Sequence, residues 1–280
     1  MDEVLARLLE GAIDSLIHIA PDPRRGRIAD AHEVATEAKK IGMRGLVFKS
    51  NDYPTAPLAD LVRKTVHGIE VFGALSLNEA VGGVNPRAVE ASAKLGARVV
   101  WMPTHSSLWD RKMDGLQGGV PILGQDGRVL PEVREVLNLV KEFDLVLGAG
   151  HISTREILAL FDESRRVGVS KFVVNHPLRV SGDAFPLQLQ KEVTASGAFI
   201  EHCLVSTMPK SGNLAPEKIA EAVHYVGAER CFLSTDLGQL FNPPPWEGMR
   251  LMVNTFLRCG LSERELTILI KENPRRLLNC

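Results

Sequence analysis

The feature that most restricts the fold is a rhythm. Eight short, β-rich apolar runs, "AIDSLIHI", "RGLVFKS", "IEVFGALSL", "ARVVWMP", "DLVLGAGH", "KFVVNHP", "AFIEHCL" and "RCFLSTD", alternate with helical stretches. Stretches such as "PRAVEASAKLG", "TREILALFDESRRVG" and "PEKIAEAVHYVG" carry apolar residues at three- and four-residue intervals, which gathers them on one helix face. Gly42, Gly68, Gly96, Gly168, Gly197 and Gly227 each stand just past such a helix, where a residue free to take positive φ ends it. Strands joined by helical crossovers run parallel. Eight units within 280 residues predict a (β/α)8 barrel as a single domain over 1–280. An open doubly wound sheet is the alternative, disfavoured because "HIAPDPRRGR" follows the first strand where a Gly-rich phosphate-binding turn would stand.

Two segments lie outside the rhythm. "MDEVLARLLEGAID" reads as a short N-terminal amphipathic helix; its early acids and lack of a basic leader distinguish it from a secretion signal, so a cytoplasmic location is expected. Between strands four and five, "HSSLWDRKMDGLQGGVPILGQDGRVLPE" is expected to be a long inserted loop over the barrel mouth, with "GQDGR" as a hairpin turn. A net charge of -1 without long Lys/Arg runs leaves no footprint for nucleic acid. No segment reaches the roughly 18 uninterrupted apolar residues of a membrane span. Cys203, Cys231, Cys259 and Cys280 form no CxxC pair and read as free thiols, neither a disulfide framework nor a zinc knuckle. The expected partner is a small-molecule substrate; a homo-oligomer is compatible with the sequence, but no patch marks an interface.

The chemistry concentrates where strands end: His18, Lys49, Asn78, His105 just past strand four, His151, His176, Glu201 or His202, and Asp236. In a barrel these ends converge on one face. Along strand one, Asp14, Leu16 and His18 alternate and are expected to share a side. Neighbouring strand residues face opposite ways, so Glu201 and His202 compete for the interior, and the acid is expected there. Imidazoles, a carboxylate, a lysine and a further acid suit a divalent transition metal. Its work would be to make a bound water acidic and to polarise the group under attack. Asp236 is expected to ligate and to carry a proton. Lys49 is a candidate to hold an anion, to act as an electrophile, or to be carbamylated into a metal bridge. Arg24, Arg25 and Arg179 follow strands one and six and can grip a substrate carboxylate in a bidentate fork. His105 is read as a pocket residue, Phe241 and Trp246 as an apolar wall, and His32, His67 and His224 as surface or packing residues. A capping role for Asp236 and a solvated tip for Lys49 are the plainer alternatives.

The order of these features resembles the amidohydrolase superfamily, marked by an HxH pair on strand one, a histidine each on strands five and six, and an aspartate on strand eight. His151 in "GAGHIS", His176 in "VVNHPL" and Asp236 in "LSTDLGQ" match the last three, and "ENPRRLL" resembles the tail common in these proteins. The resemblance covers nearly the whole chain. It implies metal-dependent hydrolysis of a small-molecule amide, lactone or ester by a metal-bound water, with one divalent ion, zinc expected. The chain departs from the pattern at Leu16, which stands where the first histidine of the HxH pair belongs and cannot coordinate. His18 and Asp236 alone supply two ligands, fewer than the three usual for a catalytic zinc. Three arrangements follow: an ion held mainly by His151 and His176 with help from Lys49, Glu201 or His105; an ion rebuilt around His18; or no metal. The same change leaves open a decarboxylase, lyase, hydratase or cyclase on this scaffold, or a non-catalytic binding protein. Retained polar strand ends count against the last, because buried ionisable groups are costly without a partner.

Overall fold

In the computed structural model, which describes residues 2–179 and 184–280, every apolar run contains a strand. These are β1 (Ile13–His18), β2 (Gly45–Lys49), β3 (Glu70–Ser76), β4 (Ala97–Trp101), β5 (Val146–Gly148), β6 (Phe172–Asn175), β7 (Phe199–Cys203) and β8 (Cys231–Ser234). They form one parallel sheet in sequence order, and a parallel bridge between Ile17 and Leu237 brings the eighth unit back to the first. The expected (β/α)8 barrel is thus what the chain forms. All six helix-ending glycines hold positive φ, between 83° and 110°.

Period-two alternation sorts side chains between two apolar layers. Phe72 and Ala74, Val99 and Trp101, and Phe199 and Cys203 pack inside the barrel, while Val71, Leu75, Val100 and Ile200 pack outward against the helices. Leu277 and Leu278, from the helix Asn273–Leu278, join the inner cluster. Asn273 pins that helix at the start of β8 by donating to the carbonyls of Ala228 and Cys231.

Strand one breaks the alternation, which corrects the expectation that Asp14, Leu16 and His18 share a side. A register shift lies between Asp14 and Ile17. Asp14 turns to the eighth unit, where its carboxylate accepts from the Thr235 amide (2.9 Å) and hydroxyl (2.5 Å). Ser15 Oγ lies 3.4 Å from Glu201, and Leu16 joins the inner apolar cluster. The physical cause is the bulge, which offsets the two-residue period by one.

The long insertion is built as expected in part: Leu123 and Val129 pair antiparallel around the "GQDGR" turn. It also contains a short helix, Leu108–Met113, capped by Ser107. Asn78 ties down the root of this loop, its Oδ1 accepting from the Thr104 amide (2.8 Å) and the Ser106 hydroxyl (2.9 Å).

Gly238, just after β8, takes φ 133° against strand one, and a Cβ there would overlap the carbonyl oxygen of His18. Gly238→Ala is expected to lower unfolding free energy by at least ~2 kcal/mol through combined backbone strain and collision. Urea denaturation checks this, and a change within ~0.5 kcal/mol would refute the close fit.

Candidate active site

The C-terminal ends of the strands surround an open cavity of about 250 Å³. Its wall is made of anchored arginines. Arg24 pairs with Asp52 at 2.6 Å and also touches Nε2 of His105. Arg27 pairs with Asp22 at 2.6 Å, and Arg179 with Asp110 at 2.7 Å. Each carboxylate holds one part of a guanidinium, which fixes the side chain at the cavity rim. His105 lines this wall as expected, its Nδ1 buried without a partner. Trp246 does not line it; this residue packs against the main core, while Phe241 stands exposed on the loop after β8.

His18 and His151 also line the cavity, and the buried floor behind them holds His176, Asp236 and Lys49. His18 Nε2 lies 3.1 Å from Asp236 Oδ1, and His176 Nε2 lies 4.0 Å from Asp236 Oδ2. The rings of His151 and His176 meet edge to face with centroids 4.9 Å apart. Lys49 is buried, its Nζ 4.9 Å from the centre of the Trp101 ring. His176 and Asp236 both hold positive φ, 30° and 52°. Non-glycine residues rarely adopt that conformation, and those that do cluster at functional sites. Asp236 Oδ1 is buried and lacks an aligned hydrogen bond despite the nearness of His18.

Partners assign the tautomers. The Arg27 guanidinium, which can only donate, lies 3.2 Å from Nδ1 of His18. Nδ1 must accept, so neutral His18 carries its proton on Nε2, facing Asp236. For His151 the order reverses: Nδ1 lies 3.0 Å from Asp110 Oδ2, a carboxylate acceptor, which leaves the Nε2 lone pair free.

Glu201 stands in the barrel interior among Ser15, Trp101 and Asn175. It accepts from Asn175 Nδ2 at 2.5 Å. The acid therefore faces inward and His202 faces the outer layer, where its Nε2 is buried without a partner. Among the described residues, the group that brings metal-binding atoms within 4.8 Å of one another is His176, Asp236 and Cys203. His18, His151 and Glu201 lie outside that group.

Burial governs the charges. It lowers the His18 imidazole, lowers His176 to about 4, and holds His151 well below the ordinary range, with Arg179 reinforcing the last. Burial also pushes Asp236 up, but His18, Lys49 and His176 outweigh it and hold the carboxyl below the usual range. Glu201 is pushed up to about 7, against the pull of Asn175, Ser234 and Lys49, and His105 is lowered to about 4. Neutral imidazoles thus surround one ionised aspartate.

Three contributors were not singled out from sequence. Asp110 lies in the inserted loop, Arg27 stands beside the arginines that were noted, and Cys203 read as a free thiol. The inward side of β7, shared by Phe199, Glu201 and Cys203, is the one signal that could have found the thiol.

A sequence model described as "Family of unknown function (DUF6282)" matches residues 11–201. The chain belongs to this family. No curated protein matches it at a significant level. Among solved structures it is similar to an amidohydrolase from Pseudomonas aeruginosa, with 14% identity, TM-score 0.68, and coverage of 99% of this chain and 98% of that one. It is also similar to a probable 2-pyrone-4,6-dicarboxylic acid hydrolase from Acinetobacter baumannii with citric acid bound (10% identity, TM-score 0.65, 96% and 100% coverage). A 2,6-dihydroxybenzoate decarboxylase from Rhizobium shares 15% identity at TM-score 0.60, over 96% of this chain and 99% of that one. At such identities the likeness establishes the barrel fold for this DUF6282 member. No helix among the described residues is long and apolar enough to cross a membrane.

The Glu201 carboxyl titrates near 7 in the fold against 4.5 ordinarily. The folded chain therefore binds a proton that the unfolded chain releases, a stabilising contribution present below 4.5 and lost as pH rises through about 7. Asp14, also raised to about 7 by burial, adds a parallel fall. Glu201→Gln is expected to flatten part of the decline in melting temperature across that window. An unchanged slope would contradict the assignment.

Proposed function

We propose that this chain is a cytoplasmic hydrolase of the amidohydrolase type, acting on a small carboxylate-bearing amide, lactone or ester at a site that takes one divalent ion of the zinc kind. The observation that carries this reading is the floor of the cavity, where His176 and Asp236 share left-handed backbone and Asp236 Oδ1 lacks an aligned donor. Likeness to solved hydrolases, one of them with citric acid bound, supports the reaction class and an anionic substrate.

The donors fit the ion. His176 is neutral near physiological pH and Asp236 is ionised, the states in which each can ligate. A buried carboxylate oxygen without a hydrogen bond is also the kind of group a cation satisfies. When bound, a divalent ion would supply Lewis acidity to a carbonyl and make a water more acidic. The remaining work belongs to the chain. Asp236 accepts the proton of the attacking water and returns it to the leaving group. His18, its Nε2 3.1 Å from Oδ1 but not aligned as a donor to it, packs beside that carboxylate. His151, its Nε2 lone pair exposed by the Asp110 contact, orients the water or the leaving group. Lys49 places a positive charge near the developing oxyanion. Arg179 and Arg24, each braced by an aspartate, bind the substrate carboxylate, and the inserted loop that carries Asp110 covers the site.

Incubating the enzyme with carboxylated lactones and amides in oxygen-18 water is expected to place one labelled oxygen in each product. Asp236→Asn should lower kcat/KM about 100- to 10,000-fold, and Arg179→Ala should raise KM more than it lowers kcat. Turnover without label in the product would overturn hydrolysis in favour of carbon–carbon bond cleavage or another non-hydrolytic reaction.

A further inference from the structure

We propose that the thiol of Cys203 is the third protein ligand of the metal site, supplied by strand seven in place of the histidine that strand one lacks at Leu16. The inference rests on the metal reading above and deepens it.

Cys203 ends β7 and is 1% exposed, on the same inward side as Phe199 and Glu201. Its Sγ, one imidazole nitrogen of His176 and one carboxylate oxygen of Asp236 all lie within 4.8 Å of one another. Three protein ligands from three different strand ends make a complete set for a catalytic ion that keeps one position open. Neither of the other imidazoles on the floor completes the set. The Nε2 of His18 carries a proton turned to Asp236 under the control of Arg27. His151 keeps a free Nε2 lone pair, but it lies outside the group whose donor atoms come within 4.8 Å of one another.

The position of Leu16 explains why a donor is needed elsewhere. Leu16 and Cys203 belong to one interior apolar cluster, so strand one presents hydrocarbon to the site. A buried cysteine is ordinarily a small core residue, and the 3.3 Å contact with Ser234 Oγ would serve that role too. What separates this cysteine from Cys231, equally buried, is the imidazole and the carboxylate that meet it. A mixed sulfur, nitrogen and oxygen set favours zinc or cobalt over magnesium, calcium or manganese. As the ion binds, the thiol proton leaves to solvent and the sulfur coordinates as thiolate.

Titrating metal-stripped full-length protein with cobalt(II) tests this. We expect one equivalent to bind with a thiolate-to-cobalt charge-transfer band in the near ultraviolet. Cys203→Ser should abolish the band and weaken cobalt binding by more than the ~10–100-fold typical of losing an outer partner. Cys231→Ser, Cys259→Ser and Cys280→Ser should keep it. The wild-type band reports a thiolate ligand before any variant is made, and its survival in a chain carrying Cys231→Ser, Cys259→Ser and Cys280→Ser together assigns that ligand to Cys203 without altering Cys203 itself. One equivalent bound without the band, or with a band that survives Cys203→Ser, would remove Cys203 from the ligand set while leaving the metal reading intact. No cobalt uptake by the wild type would end both.

Discussion

The seam between the first and eighth strands is the constraint on which the site depends. A parallel barrel closes only when its last strand meets its first, and here the regular ladder is replaced by a few specific contacts. Asp14 accepts two hydrogen bonds from Thr235. The Asp236 amide donates to the Leu16 carbonyl, and the His18 amide to that of Leu237. Those bonds hold Asp236 in left-handed backbone and His18 beside it. The contact that closes the barrel therefore also assembles the floor of the cavity.

Around that seam the protein keeps buried ionisable groups in complementary states. Desolvation favours the neutral form of every group, and it prevails for the three imidazoles on the floor and raises Glu201. Asp236 is surrounded closely enough by His18, Lys49 and His176 to stay charged. An ionised carboxylate among neutral imidazoles is prepared to receive a cation or a proton, whereas protonated imidazoles would repel the one and an acid could not accept the other. Of the inserted loop, Asp110 joins His151 to Arg179 and so links the floor to the arginine-lined wall.

Much of the fold was legible because its signals are local. Each β-rich run needs only its own composition to be recognised, and each terminating glycine only its position after a helix. Strand-end polarity marked His18, Lys49, His151, His176 and Asp236, which do gather, since parallel strands bring their C-terminal ends to one face. Alternation required that Glu201 and His202 face opposite ways, and the acid is the one inside. The same rule misplaced Asp14, because a one-residue bulge is not written in apolar periodicity. Trp246 looked like a wall residue beside three prolines, yet its helix turns it into the core.

Taken by itself, the sequence determined the number of strands, their parallel course and the set of polar residues at one end, because hydrophobic period and turn chemistry act over a few residues. It also determined that Leu16 could not be a ligand, since no environment gives a hydrocarbon a lone pair. Tertiary structure alone decided which donors meet. Cys203 joins His176 and Asp236, and Asp110 and Arg27 choose the tautomers of His151 and His18. Those outcomes depend on distances of a few ångströms between groups far apart in the chain, and such distances are set only when the barrel closes.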